Sequence, residues 1–193
     1  MIIYDYHLND VYSIMKKYSV AFFLLLILGS LAFAQVTNHA VTKSSVTFQI
    51  KNLGINVGGS FGGLKADINF DPEHLETSNI EASVQSNTVN TDSETRDNHL
   101  KSDSYFDAGK YPEIKMKSVS FKHNSGNNYT GTFNLTIKDK TNQVQVPFTY
   151  TENSNDGEFK GTLKIKRTDY SVGGKSMVMS NDVTISIDVT TGK

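Results

Sequence analysis

Eight segments of this chain alternate apolar and polar residues with a period of two, a pattern that a strand with one buried face produces and a helix does not. Val46, Phe48 and Ile50 form the first apolar stripe, and Ala66, Ile68 and Phe70 the second. Ile80, Ala82 and Val84 follow, then Ile114 and Met116. The longest stripe runs Tyr129, Gly131, Phe133, Leu135, Ile137; behind it come Val144, Val146, Phe148, Tyr150 and then Phe159, Gly161, Leu163, Ile165. Val183, Ile185, Ile187 and Val189 close the chain. Between the stripes stand residues with turn chemistry: Asp71-Pro72, Asn124-Ser125-Gly126-Asn127, Lys138-Asp139-Lys140 and Asn155-Asp156-Gly157. About eight strands with mostly hairpin-length connections predict an all-β fold, either a sandwich or a closed antiparallel barrel. A barrel of that size is just wide enough to be filled by side chains or to hold one small ligand.

Four stretches depart from the alternation. Residues 92–100 (DSETRDNHL) open with Asp92 or Ser93 as an N-cap, and a short helix is expected over 93–100. Residues 171–181 hold Gly173-Gly174 and Met177-Val178-Met179 and read as a mobile loop with room for a short strand. Gly58-Gly59-Ser60-Phe61-Gly62-Gly63 lacks the Gly-Lys-Ser/Thr of a phosphate loop, so its glycines are better read as bends where a long strand curves. Pro147 falls at an outward position and cannot donate to a ladder, which predicts an edge or bulge there.

The N-terminus reads as an address. Lys16 and Lys17 precede an apolar run over residues 20–33 that ends in Ala32-Phe33-Ala34, the layout of a secretory signal peptide. The run is shorter than the about 20 apolar residues of a spanning helix. Residues 1–34 are therefore expected to be removed, leaving 35–193 as one domain in the periplasm or the medium, without a stable membrane anchor. Asp5 and Asp10 sit oddly ahead of a basic leader, and Met15 is the more natural start. The chain has no cysteine, which excludes disulfides, thiolate metal sites and a lipid anchor on Cys. A net charge of −1 gives no electrostatic reason to expect nucleic acid or an anionic membrane as partner. A homodimer stays open.

Little in the chain carries catalytic chemistry. His39, His74, His99 and His123 stand in no metal-ligand spacing, and no G-x-S-x-G elbow is present. No metal, cofactor or catalytic residue is expected. Arg96 and His99 share a face of the short helix at i, i+3. The favoured reading is structural: Arg96 paired with a carboxylate would pin the helix to the barrel, with Asp97 capping or pairing. The alternative places Arg96 and His99 at the mouth of a cavity, against a ligand head group.

The central block carries a resemblance. Thr95-Arg96-Asp97-Asn98-His99-Leu100, then Tyr105-Phe106-Asp107, then Lys110-Tyr111-Pro112-Glu113-Ile114, is similar to the YceI family of lipid- or polyisoprenoid-binding proteins. Ser44-Ser45-Val46-Thr47-Phe48 with Leu53-Gly54-Ile55 resembles that family's first strand, and Arg167-Thr168-Asp169-Tyr170 with residues 182–189 resembles its C-terminal portion. Asn52 stands where many members have His, and Ser171 where Gly is frequent. The resemblance implies an extended, lipocalin-like antiparallel barrel with a helix inserted near the middle. It implies an exported protein that binds a polyisoprenoid or quinone-type chain.

Such a chain offers almost nothing to hydrogen-bond, so its site must be inward-facing and apolar. The stripes nominate Phe48, Ile50, Val84, Met116, Phe133, Leu135, Val146, Phe148, Leu163, Ile185 and Ile187 as cavity liners, provided they leave space between them. The expected function is non-covalent lipid transport or storage by a protein that is not an enzyme. A ligand-free structural or interaction module of the envelope is the alternative; an enzyme acting on lipid-like substrates would need a titratable group inside the cavity.

Overall fold

The computed structural model describes residues 40–154 and 156–192. The expected signal segment 1–34, the start at Met15, His39 and Asn155 of the fourth turn lie outside the described residues. Nine strands form one antiparallel sheet curled into a half-barrel: β1 (Ala40–Asn52), β2 (Ile55–Phe61), β3 (Lys65–Asn69), β4 (Asn79–Gln85), β5 (Glu113–Ser125), β6 (Asn128–Ile137), β7 (Lys140–Glu152), β8 (Asp156–Lys166) and β9 (Met179–Gly192). Their order round the sheet is β2-β1-β9-β8-β7-β6-β5-β4-β3. All eight alternating stripes are strands. The additional one is β2, whose glycines mask the period.

β2 and β3 are two halves of one bent strand, and the bend brings the ends of the sheet together. β2 pairs with β1, β3 pairs with β4, and only Gly62-Gly63-Leu64 separates the halves. Gly63 takes φ +66° at the corner, a conformation that favours glycine. Across the closure, Ser60 and Asn90 exchange backbone bonds of 2.8 and 3.0 Å. Gly59 permits that approach, since a Cβ there would stand 2.8 Å from the Asn90 carbonyl oxygen and 2.5 Å from the Phe48 ring. The glycines read as bends thus serve both as a corner and as a close contact.

The wall has a seam at Pro147. β7 pairs with β6 along its length from Lys140 to Thr149, but with β8 only from Phe148 to Glu152. Beyond Gly161, β8 pairs with β9 alone. Proline has no N–H to give, and the ladder to β8 stops beside it.

The helix α1 spans Glu94–Lys101, shifted one residue along the chain from the expected 93–100. Ser93 is its N-cap by position, yet its side chain makes no capping bond. The 171–181 stretch enters β9 at Met179 and makes no strand of its own. A 3-10 turn over Arg167–Tyr170 precedes it.

Candidate functional site

The inward stripes line a cavity of about 280 Å³, just below the roughly 300–1,000 Å³ usual for small-molecule sites. All eleven residues nominated from the stripes line it: Phe48, Ile50, Val84, Met116, Phe133, Leu135, Val146, Phe148, Leu163, Ile185 and Ile187. The wall is uneven. Phe133, Leu135, Val146, Phe148 and Leu163 on β6, β7 and β8 are buried by their neighbours. Phe48, Ile50, Ile185 and Ile187 on β1 and β9 face inward and stay only half-buried. Apolar area on that side therefore remains for a ligand to cover.

Two of the lining residues, Phe148 and Phe159, belong to an aromatic cluster that closes one end of the barrel behind the cavity. Phe70, just past β3, is 3% exposed. Its ring centroid lies 5.0–5.6 Å from those of Phe121, Tyr129, Phe148, Tyr150 and Phe159, each tilted edge to face. Edge-to-face pairs of this kind contribute about 0.5–1.5 kcal/mol each beyond burial. Burial, with the charge of Glu152 adding to it, pushes the Tyr150 hydroxyl up to about 12.

The other end is capped by α1 and the segment that follows it. Leu100, Tyr105 and Phe106 line the cavity there, and the Phe106 ring meets Phe61 edge to face at 5.3 Å. Arg96 does pin the helix, but through a different partner from the carboxylate expected. Its Nε donates to Thr91 Oγ1 at 2.8 Å and its Nη2 to the Thr91 carbonyl. The Asp97 carboxylate in turn accepts from Thr91 N–H at 2.8 Å and from its hydroxyl. Thr91 follows Asn90, which bridges to β2, so the helix is tied to the barrel closure. Arg96 also lines the cavity; His99 does not. The His99 ring instead sits exposed on α1, 4.8 Å from the Tyr105 ring.

Two further polar residues on this end carry no site role in the sequence reading. Arg167 is 4% exposed and lines the cavity. It donates to the carbonyls of Ser180 (2.9 Å), Val172 (3.0 Å) and Gly174 (2.9 Å) and to Asn181 Oδ1 (3.2 Å), so it holds the 171–181 loop to the barrel. Asn52 also lines the cavity, and its side-chain oxygen is buried without a hydrogen-bond partner. Both were legible in the period. Phe48 and Ile50 lead to Asn52, and Leu163 and Ile165 lead to Arg167, each on the inward face. Among the described residues no group of three or more His, Asp or Glu could hold a metal ion, and no helix is long and apolar enough to cross a membrane.

The YceI-like domain matches residues 38–191, nearly all of the described chain. The chain belongs to the YceI-like family. Within that family it is 26% identical over 160 residues to a UPF0312 protein of Vibrio parahaemolyticus, covering 79% of this chain and 85% of the relative. Among solved structures, BcnA of Burkholderia cenocepacia superposes with a TM-score of 0.75 at 25% identity, covering 79% of this chain and 99% of that one. A YceI protein of Campylobacter jejuni gives 0.66 at 26% identity over 72% of this chain and 86% of its own. A polyisoprenoid binding domain from Saccharophagus degradans shares the fold with a TM-score of 0.63 at 15% identity, over 80% of this chain and 97% of that one. The YceI-like half-barrel with a short inserted helix is thus the expected architecture, with nine strands among the described residues.

Proposed function

We propose that this YceI-like protein is exported and holds a long apolar lipid, of polyisoprenoid or quinone type, inside the barrel for transport or storage. The observation that carries this reading is the apolar cavity whose β1 and β9 wall is left half-buried. Covering apolar area releases about 25 cal/mol per Å², so an inserted hydrocarbon chain gains affinity along its whole length. The fold shared with a polyisoprenoid binding domain supports the same cargo class. The aromatic floor sets the deep end for the tail. Asn52 and Arg96 at the capped end offer an amide and a guanidinium to a head group.

The reading is binding without turnover. The amide of Asn52 is neither a general acid nor a general base. Lys115 lies along the wall, but its ammonium pairs outward with Glu113 at 3.0 Å. A ligand-free module is the competing reading, and it calls for a packed interior.

The test is to express the full chain, purify the protein without detergent, extract it with organic solvent and identify the lipid by mass spectrometry. A prenyl lipid near one per chain is the expected result. A clean extract that stays clean after prenyl lipids are offered overturns the proposal. N-terminal sequencing of the exported protein checks the leader, with Gln35 expected first.

A further inference from the structure

Four large apolar side chains stand in water at one rim of the barrel: Leu53 is 71% exposed, Ile55 69%, Val178 54%, and Met177 fully so. They come from two elements tied together. Leu53 and Ile55 flank Gly54 at the β1–β2 hairpin tip, and Met177 and Val178 end the loop before β9. The Leu53 N–H donates to the Val178 carbonyl at 2.8 Å, and Asn52 pairs with Met179. The patch is therefore one surface held by the sheet, backed by the Arg167 staple on the 171–181 loop.

Its composition runs against local stability. Leu53 has φ +52° and Gly54 φ +78°, a two-residue hairpin turn for which Asn-Gly is the favoured pair. Leucine at the first position bears left-handed strain and leaves most of its side chain in water. The patch also continues into the cavity: Asn52 pairs with Ile55 and Ile50 with Val57, and Ile50, Asn52, Val57 and Met179 all line the interior. Its charge leans positive. Residues 51–56 and 173–181 contain Lys51 and Lys175 and no Asp or Glu, with Asp182 the next residue along β9, although the whole chain carries −1. Apolar tips flanked by two lysines fit the boundary of an anionic bilayer, where the apolar groups insert and the ammonium groups meet phosphates.

We propose that this rim docks on an anionic lipid surface and sets the capped end of the cavity against it. The docking itself stands on the patch; its use for loading or unloading cargo rests on the lipid-binding reading above. The experiment is co-sedimentation of the protein, purified after expression of the full chain, with vesicles of phosphatidylcholine alone or with one quarter phosphatidylglycerol. Binding to the anionic vesicles is expected, weakening by about fivefold for each of Lys51→Gln and Lys175→Gln. The double variant L53N/M177N is expected to lose at least tenfold while its thermal midpoint holds, because Asn suits the left-handed turn better than Leu. No vesicle binding by the native protein overturns the proposal, as does binding that L53N/M177N leaves unchanged. A concentration-dependent dimer that the double variant dissolves, without vesicle binding, assigns the patch to a second copy and also overturns it. Vesicle binding by a protein whose solvent extract is clean keeps the docking surface and removes the lipid-carriage reading.

Discussion

The ring of Phe70 packs edge to face on the ring of Tyr150 with centroids 5.0 Å apart, and four more rings complete the closed end of the barrel. Phe70 lies at the centre of that floor, so removing it opens a void that five partners cannot fill. Phe70→Ala is expected to cost about 3–5 kcal/mol, a fall in Tm on the order of 10 °C for a domain of this size. Thermal unfolding by circular dichroism measures it. A shift of a degree or two would mean the floor collapses round the gap.

Arg167 satisfies three carbonyls and one amide oxygen, and no ion pair among the described residues involves it. Arg167→Met leaves those acceptors without a donor, for a loss of about 3 kcal/mol. Arg167→Lys recovers only part, since an ammonium cannot reach in the directions a planar guanidinium does. Urea unfolding gives the stability, and hydrogen exchange of the 171–181 amides should show the loop losing protection first. Equal stability in all three proteins would remove the staple.

Ile185 faces the cavity from β9 and is half-buried. In a packed core, Ile185→Trp would overpack at a cost of about 1–3 kcal/mol. In this cavity the indole has room, so stability should hold while bound lipid falls severalfold. Paired measurements of Tm and of lipid per chain separate the outcomes: a large fall in Tm with lipid retained would argue against an open interior at that position.

The Asp71–His74 pair makes a pH prediction. His74 Nδ1 lies 2.8 Å from Asp71 Oδ2. That bond, helped by the Glu73 N–H, holds the Asp71 carboxyl below its usual 3.8, and the same carboxylate raises His74 above 6.5. His74, raised on folding, contributes stability that is complete below 6.5 and is lost as pH rises through its folded value. Asp71, lowered, contributes stability that is complete above 3.8 and is lost as pH falls through its folded value. The pair is fully stabilising between 3.8 and 6.5. Both groups are exposed, so the sensitive readout is the titration itself. NMR should find the His74 midpoint above 6.5 and Asp71→Asn should bring it down; a midpoint indifferent to Asp71→Asn would break the assignment.

Alternation alone located eight of the nine strands and the inward face of each, because a pleated strand sends successive side chains to opposite sides whatever surrounds it. The same rule reaches Asn52 and Arg167, provided the stripe is followed past its last apolar residue. The helix was legible because its polar block breaks the period after a cap residue. β2 was not, since Gly58 and Gly59 carry no side chain to alternate. Arg96 was placed in a pinning role, but its partner Thr91 is neutral and five residues away, which no charge pattern announces.

The sequence by itself determined eight of the strands, their inward residues and the family, all of which are read from residues near one another along the chain. Tertiary structure alone decided whether those inward residues fill the barrel or leave room. Cavity volume depends on how far the facing walls stand apart, and that distance comes from the bend at Gly62-Gly63, the floor of rings round Phe70 and the parting of β7 from β8 at Pro147. Closure likewise rests on a contact between Ser60 and Asn90, thirty residues apart, made possible by a glycine whose missing Cβ lets two backbones meet.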